Sequence, residues 1–212
     1  MRFSFFFFLF FSLGAKAQQS FHATYSCYTQ ITSSGLPVIY AAKDDTSRKW
    51  VLNMKINLVY ADSLYFQDYQ YAGMNDARHK ITDSIFGPLA KHHELFFDLR
   101  EMALYEYRAL KRKNKHLFKS NVELKKGQPL NETGVDTDCS WESINFLKDS
   151  IQICVLRDNK FPAIGFFRGF VFHGLMAEFY WPSRNMYVKL DNVNFRPIKI
   201  QLPSVKIINN KN

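Results

Sequence analysis

Residue types that could do chemistry are sparse in this chain. His92, His93 and Glu94 stand side by side, but adjacent residues point to opposite faces of a strand and diverge on a helix, so they do not converge on one ion. His173 lies alone among phenylalanines, where a histidine is more often a satisfied core or edge residue than a ligand. The carboxylate pairs Asp44-Asp45 and Asp136/Asp138 fall in polar turns, where solvation accounts for them. No Ser sits in a G-x-S-x-G elbow, no H-E-x-x-H occurs, and no glycine-rich phosphate loop is present. The sequence therefore assigns no catalytic residue, no metal ligand set and no cofactor. Binding, rather than catalysis, is the expected mode of action.

The residues that could bind are concentrated in one stretch. Phe161–Trp181, FPAIGFFRGFVFHGLMAEFYW, holds eight aromatic residues and three glycines. Burying a Phe is worth roughly 1.5–3 kcal/mol, so the remainder of the fold must cover this segment. It does not read as a membrane span, because Arg168, His173 and Glu178 lie inside it and a span needs about 20 nearly uncharged residues. Phe166, Phe170, Phe172, His173, Phe179 and Trp181 are the candidate ligand-binding residues, lining the concave side of a curved sheet. The competing reading is that these aromatics simply fill the core.

Cys27, Cys139 and Cys154 permit one disulfide and one leftover thiol. A Cys139–Cys154 bridge would close a short loop, worth about 3 kcal/mol in the loop-entropy model, but spacing alone leaves the pairing open. None of the three lies in a C-x-x-C spacing, so redox or zinc chemistry has no support.

The chain opens with Arg2, a run of about a dozen apolar residues, and Ala15-Lys16-Ala17, the pattern of a secretory signal peptide with an A-x-A cleavage site. Residues 1–17 are read as that leader and residues 18–212 as a single β-rich domain, exported to the periplasm or cell envelope. No transmembrane span is expected after cleavage. Losing the leader removes Arg2 and Lys16 and no acid, which takes the formal charge from +9 to +7. Much of that charge falls between Arg108 and Lys126. A solvated face is the commonest origin of such a run, an acidic glycan or lipid headgroup is the second reading, and a nucleic-acid footprint would look similar, but an exported protein seldom meets nucleic acid. Nucleic acid is not expected as a partner.

The elements that must position these residues read mostly as strands. Phe21, Ala23, Tyr25 and Cys27 alternate with polar neighbours, and Trp50, Leu52, Met54, Ile56, Leu58 and Tyr60 share one face of a second strand. A third strand covers 63–71, and 73–88 reads as a loop. Residues 95–110 suit a helix and a strand equally. Alternation returns at 116–124, at Ile151, Ile153 and Val155, at Met186, Val188 and Leu190, and at Ile198, Ile200 and Leu202, while 127–138 is turn-rich. The expected fold is mainly β: an antiparallel curved sheet, half-barrel or sandwich, with at most one or two helices.

The order of these features resembles the GLPGLI family of exported Bacteroidota proteins, whose function is not established. The matching features are the alternating strand leading to a Ser-aromatic segment (Trp50 to Phe66), Trp141 ahead of Ile151-Gln152-Ile153-Cys154, the Gly-Leu element Gly174-Leu175-Met176-Ala177-Glu178-Phe179, and a closing proline-led strand, Asn194-Phe195-Arg196-Pro197-Ile198-Lys199-Ile200. The hexapeptide that names the family is absent; Gly35-Leu36-Pro37-Val38-Ile39 resembles it but lies in the wrong third of the chain. The resemblance implies an envelope protein with no catalytic residues to carry over. It fits a non-catalytic binding or interaction module whose partner is an outer-membrane or envelope protein. The alternatives are a periplasmic carrier of an apolar or lipid-like ligand and, less favoured, a hydrolase.

Overall fold

A computed structural model of the chain describes residues 20–32, 47–71, 94–110, 114–130, 139–146 and 149–209. Residues 1–17, read as a leader, the 73–88 segment, His92 and His93 lie outside the described residues. Strand β1 (Phe21–Ile31) turns Phe21, Ala23, Tyr25 and Cys27 to one fully buried face, as their alternation predicts. Next to it lies β2 (Lys49–Ala61), which reverses at Asp62 and Ser63 into β3 (Leu64–Tyr71). Both turn residues take left-handed φ, 52° and 70°, as a type I′ hairpin requires.

The ambiguous segment 95–110 is a hairpin and not a helix: β4 (Glu94–Asp98) pairs with β5 (Ala103–Leu110). The Asp98 carboxylate accepts from the backbone N–H of Arg100 at 2.8 Å, and Met102 adopts φ 49°. A side chain that satisfies a neighbouring backbone amide and a left-handed residue together break any helical run. After β6 (Asn114–Asn121) come a two-residue edge strand β7 (Gln128–Pro129), inside the stretch read as a loop, then β8 (Ser140–Phe146) and β9 (Asp149–Leu156). The aromatic stretch divides into a separate hairpin, β10 (Gly165–Phe167) and β11 (Phe170–Phe172), and then β12 (Leu175–Trp181). A 3-10 turn, Pro182–Arg184, leads into β13 (Met186–Phe195), and β14 (Ile207–Asn209) follows.

Among the described residues, twelve strands form one curved sheet in the order β14-β6-β5-β4-β3-β2-β1-β13-β12-β9-β8-β7, not closed into a barrel. All of its pairings are antiparallel except β14 with β6. The β10–β11 hairpin stands apart from this sheet and fills its concave side. Its rings reach Phe97 on β4, Tyr65 on β3, Tyr25 on β1, Phe179 on β12 and Phe146 on β8. From β4 to β8 is seven strand spacings, which at ~4.8 Å each would span roughly 34 Å in a flat sheet. Strands of three residues, ~10 Å long, touch both ends only because the sheet curls around them.

A smaller cluster lies on the opposite face. Leu64, Phe96, Ala103, Tyr105 and Leu117 are covered there by Ile200, Leu202 and Val205. Residues 198–202, expected as a strand, form none. Pro197 and Pro203 flank them and lack backbone donors, and the segment packs its apolar side chains onto a sheet face instead of joining an edge.

Candidate functional site

The structure gives the sequence-predicted binding residues different environments. Phe166, Phe170, Phe172 and Phe179 are all buried to 1% exposure or less. Phe166 stacks on Phe97 at 5.3 Å, and Phe170 on Phe179 at 5.8 Å. Trp181 is half-buried beside Phe146 and Phe179, and its indole N–H donates to Asp149. His173 stands apart, exposed, its Nδ1–H donating to the Ala163 carbonyl at 2.9 Å. Two buried phenols add bonds across the core: Tyr65 donates to the Ile164 carbonyl at the hairpin base at 2.8 Å, and Tyr25 on β1 donates to the Met176 carbonyl on β12 at 3.0 Å. Burial raises both phenols well above their ordinary pKa.

The hairpin turns at Arg168-Gly169, both with left-handed φ (46° and 86°). At its base, a side chain on Gly165 would strike the Gly174 carbonyl at 2.0 Å. Cys139 and Cys154 are joined in a disulfide with Cα atoms 5.5 Å apart, and Cys27 is a buried free thiol. Burial pushes the Cys27 thiol up to about 11, with the Arg168 charge partly opposing the shift.

A second aromatic group, on the outer face of the sheet, was not singled out in the sequence. Strand register places Ser143, Gln152, Tyr180, Tyr187, Tyr28 and Leu52 in one row across β8, β9, β12, β13, β1 and β2. Trp50 lies over this row, its ring centroid 6.2 Å from Tyr187 and 6.4 Å from Tyr180, with ring planes inclined at 62° and 69°. Tyr28 lies 6.2 Å from Tyr187. The three tyrosines form a floor and the indole a wall. Trp50 is 40% exposed and Leu52 36%.

Trp50 and Leu52 were expected on the core face with Met54 to Tyr60, and the structure corrects this. Cys27 faces Met54 while Tyr28 faces Leu52, so Asn53 is the extra residue of a bulge. A bulge reverses the alternation beyond it, which turns Trp50 and Leu52 outward. Asn53 itself is buried, with its amide donating to the Thr29 hydroxyl at 3.2 Å.

A second row borders the rings: Trp141, Cys154, Glu178, Lys189, Ser26 and Lys55 are successive cross-strand neighbours. Tyr187 donates its phenol to Glu178 at 2.6 Å. Burial first, and this hydrogen bond second, raise Tyr187 well above the usual phenol range. Asp191 is the extra residue of a bulge in β13, between Leu190 opposite Tyr25 and Asn192 opposite Thr24. It receives Lys55 at 2.7 Å, and Ser26 donates to it. Lys55 also lies 2.5 Å from the Ser26 hydroxyl. A Ser–Lys pair can serve as nucleophile and base, but here the lysine is in an ion pair and the serine, 2% exposed, sits mid-strand with ladders on both sides. Among the described residues no cluster of His, Cys, Asp and Glu could hold a metal ion.

No family model and no curated protein matches the chain. Two solved structures of PNGF-II share its fold. One, in space group C2, aligns with TM-score 0.54 and 12% identity over 91% of this chain and 31% of that chain. The other, in space group P21, gives 0.51 and 11% over 91% and 32%. The chain thus spans about a third of the length of the structures it matches, and at this identity the likeness concerns the fold alone.

Proposed function

We propose that this chain is a non-catalytic binding module of the cell envelope, and that it engages its partner through the outer aromatic face. One observation carries this reading: four amphipathic rings, Trp50, Tyr28, Tyr180 and Tyr187, touch one another on an outward face, while the concave face is occupied by the chain's own hairpin. Tyr and Trp are favoured at binding surfaces because they offer large rigid contact area together with a polar tip. The leader-like start and the Cys139–Cys154 disulfide support an exported setting, as does the proposed kinship with the GLPGLI family. The carrier reading needs room among Phe166, Phe170, Phe172 and Phe179, and the contacts of Phe166 with Phe97 and of Phe170 with Phe172 and Phe179 give it no support.

The test is photo-cross-linking in intact cells with a benzophenone side chain at position 50, and at exposed Lys199 on the same chain as control. A discrete adduct from position 50 that disappears on Tyr187→Ser supports the module reading. Identical adducts from both positions, or none from position 50, refute it.

A further inference from the structure

Resting on that reading, we infer that the ligand of the outer face is an uncharged oligosaccharide. The size of the patch is the first reason. A Trp or Tyr presents up to ~250 Å² when free; Trp50 is 40% exposed and the three tyrosines are each more than half buried. The open aromatic area is therefore below roughly 500 Å², which matches the footprint of a ligand a few rings long.

The chemistry of the rim is the second reason. A pyranose has an apolar C–H face and a circumference of hydroxyls. The floor of Tyr28, Tyr187 and Tyr180 with the Trp50 wall offers flat apolar faces, and Gln152 and Ser143 continue the same row with an amide and a hydroxyl. Successive positions in that row are one strand spacing apart, ~4.8 Å, close to the advance of one sugar residue, so a chain lying across the strands meets a new side chain at each unit.

Charge is the third reason. The bordering row carries Lys55 and Lys189 against Glu178 and Asp191, which cancel, with Lys55 held by Asp191 and Glu178 accepting from Tyr187. Along this border a charged ligand would find no net opposite charge.

The experiment is a titration of the mature chain with cellohexaose, chitohexaose, laminarihexaose and mannohexaose, read at the indole N–H resonances. The chain has three tryptophans, and the Trp50 signal is the one missing from Trp50→Phe. The expected result is a saturable shift of the Trp50 indole by at least one of these sugars, with Kd between ~0.01 and ~1 mM. Trp50→Ala and Tyr28→Ser should each weaken binding by about tenfold while keeping the wild-type melting temperature. Silence of Trp50 toward all four sugars up to ~10 mM, with the position-50 adduct to an envelope protein retained, overturns the oligosaccharide and leaves the module reading intact. Sugar binding undiminished by both variants overturns the site. Absence of both sugar binding and adduct overturns both inferences.

Discussion

Replacing Phe170 by Ala separates a hairpin that plugs the sheet from one that lines a pocket. The Phe170 ring is 1% exposed and lies 5.0 Å from Phe146, 5.8 Å from Phe179, 6.3 Å from Phe172 and 6.4 Å from Phe167. Its neighbours come from β8, β12 and the hairpin itself, so they cannot all close on the space left behind. Phe→Ala in such a setting costs ~3–5 kcal/mol. For a domain of this length each kcal/mol lowers the melting temperature by ~2–4 °C, giving a fall of roughly 6–20 °C. Trp50→Ala, on the outer face, should change stability by no more than ~0.5 kcal/mol. The assay is thermal unfolding of both variants followed by near-ultraviolet circular dichroism. A Phe170→Ala protein that melts within ~2 °C of wild type would refute the plug, because a ring in contact on every side cannot be removed without loss.

Other outcomes follow from the same geometry. Gly165→Ala should cost more than ~2 kcal/mol by urea unfolding, since its Cβ would lie 2.0 Å from the Gly174 carbonyl and 2.9 Å from the Phe172 ring; Gly169→Ala, with only Leu104 at 3.9 Å but φ +86°, should cost ~1–2 kcal/mol, and a reversed order would contradict the packing at the hairpin base. Native protein at pH 8 should resist iodoacetamide and take up a single equivalent at Cys27 once unfolded, because burial pushes that thiol up to about 11 and the other two cysteines are bridged; equal rates in the two states would count against a buried Cys27. The folded pKa values of Tyr25, Tyr65 and Tyr187 lie above the unfolded phenol value of 10.0, so the unfolded chain releases these protons first, and the stability these phenols contribute, intact below about pH 10, is lost as pH rises beyond it. A urea midpoint at pH 11 equal to that at pH 8 would show that these phenols are not desolvated.

The shared fold with PNGF-II structures is met over 91% of this chain but only 31–32% of theirs, which fits an architecture reused as one part of a larger protein. What the proposed binding face does depends on side chains that the fold does not dictate. Here the concave side, where a ligand would be sought first, is taken by β10 and β11, and the open chemistry lies on the other face.

Alternation alone was enough to read the core strands. Phe21, Ala23, Tyr25 and Cys27, and Met54, Ile56, Leu58 and Tyr60, alternate with polar neighbours and are all buried, since successive strand residues point to opposite faces. The density of Phe between 161 and 181 likewise marked the centre of the core before any pairing was known. Three things were decided by tertiary structure. Residues 95–110 became a hairpin because the Asp98 carboxylate and a left-handed Met102 make the turn, a local geometry invisible to a periodicity that suits both element types. Trp50 and Leu52 left the core face because an extra residue, Asn53, has no counterpart on β1, and a bulge is set by the partner strand rather than by the strand's own pattern. The outer aromatic face exists because Tyr28, Trp50, Tyr180 and Tyr187, up to 159 positions apart in the chain, are brought together by strand order, which depends on long-range pairing that no local pattern encodes.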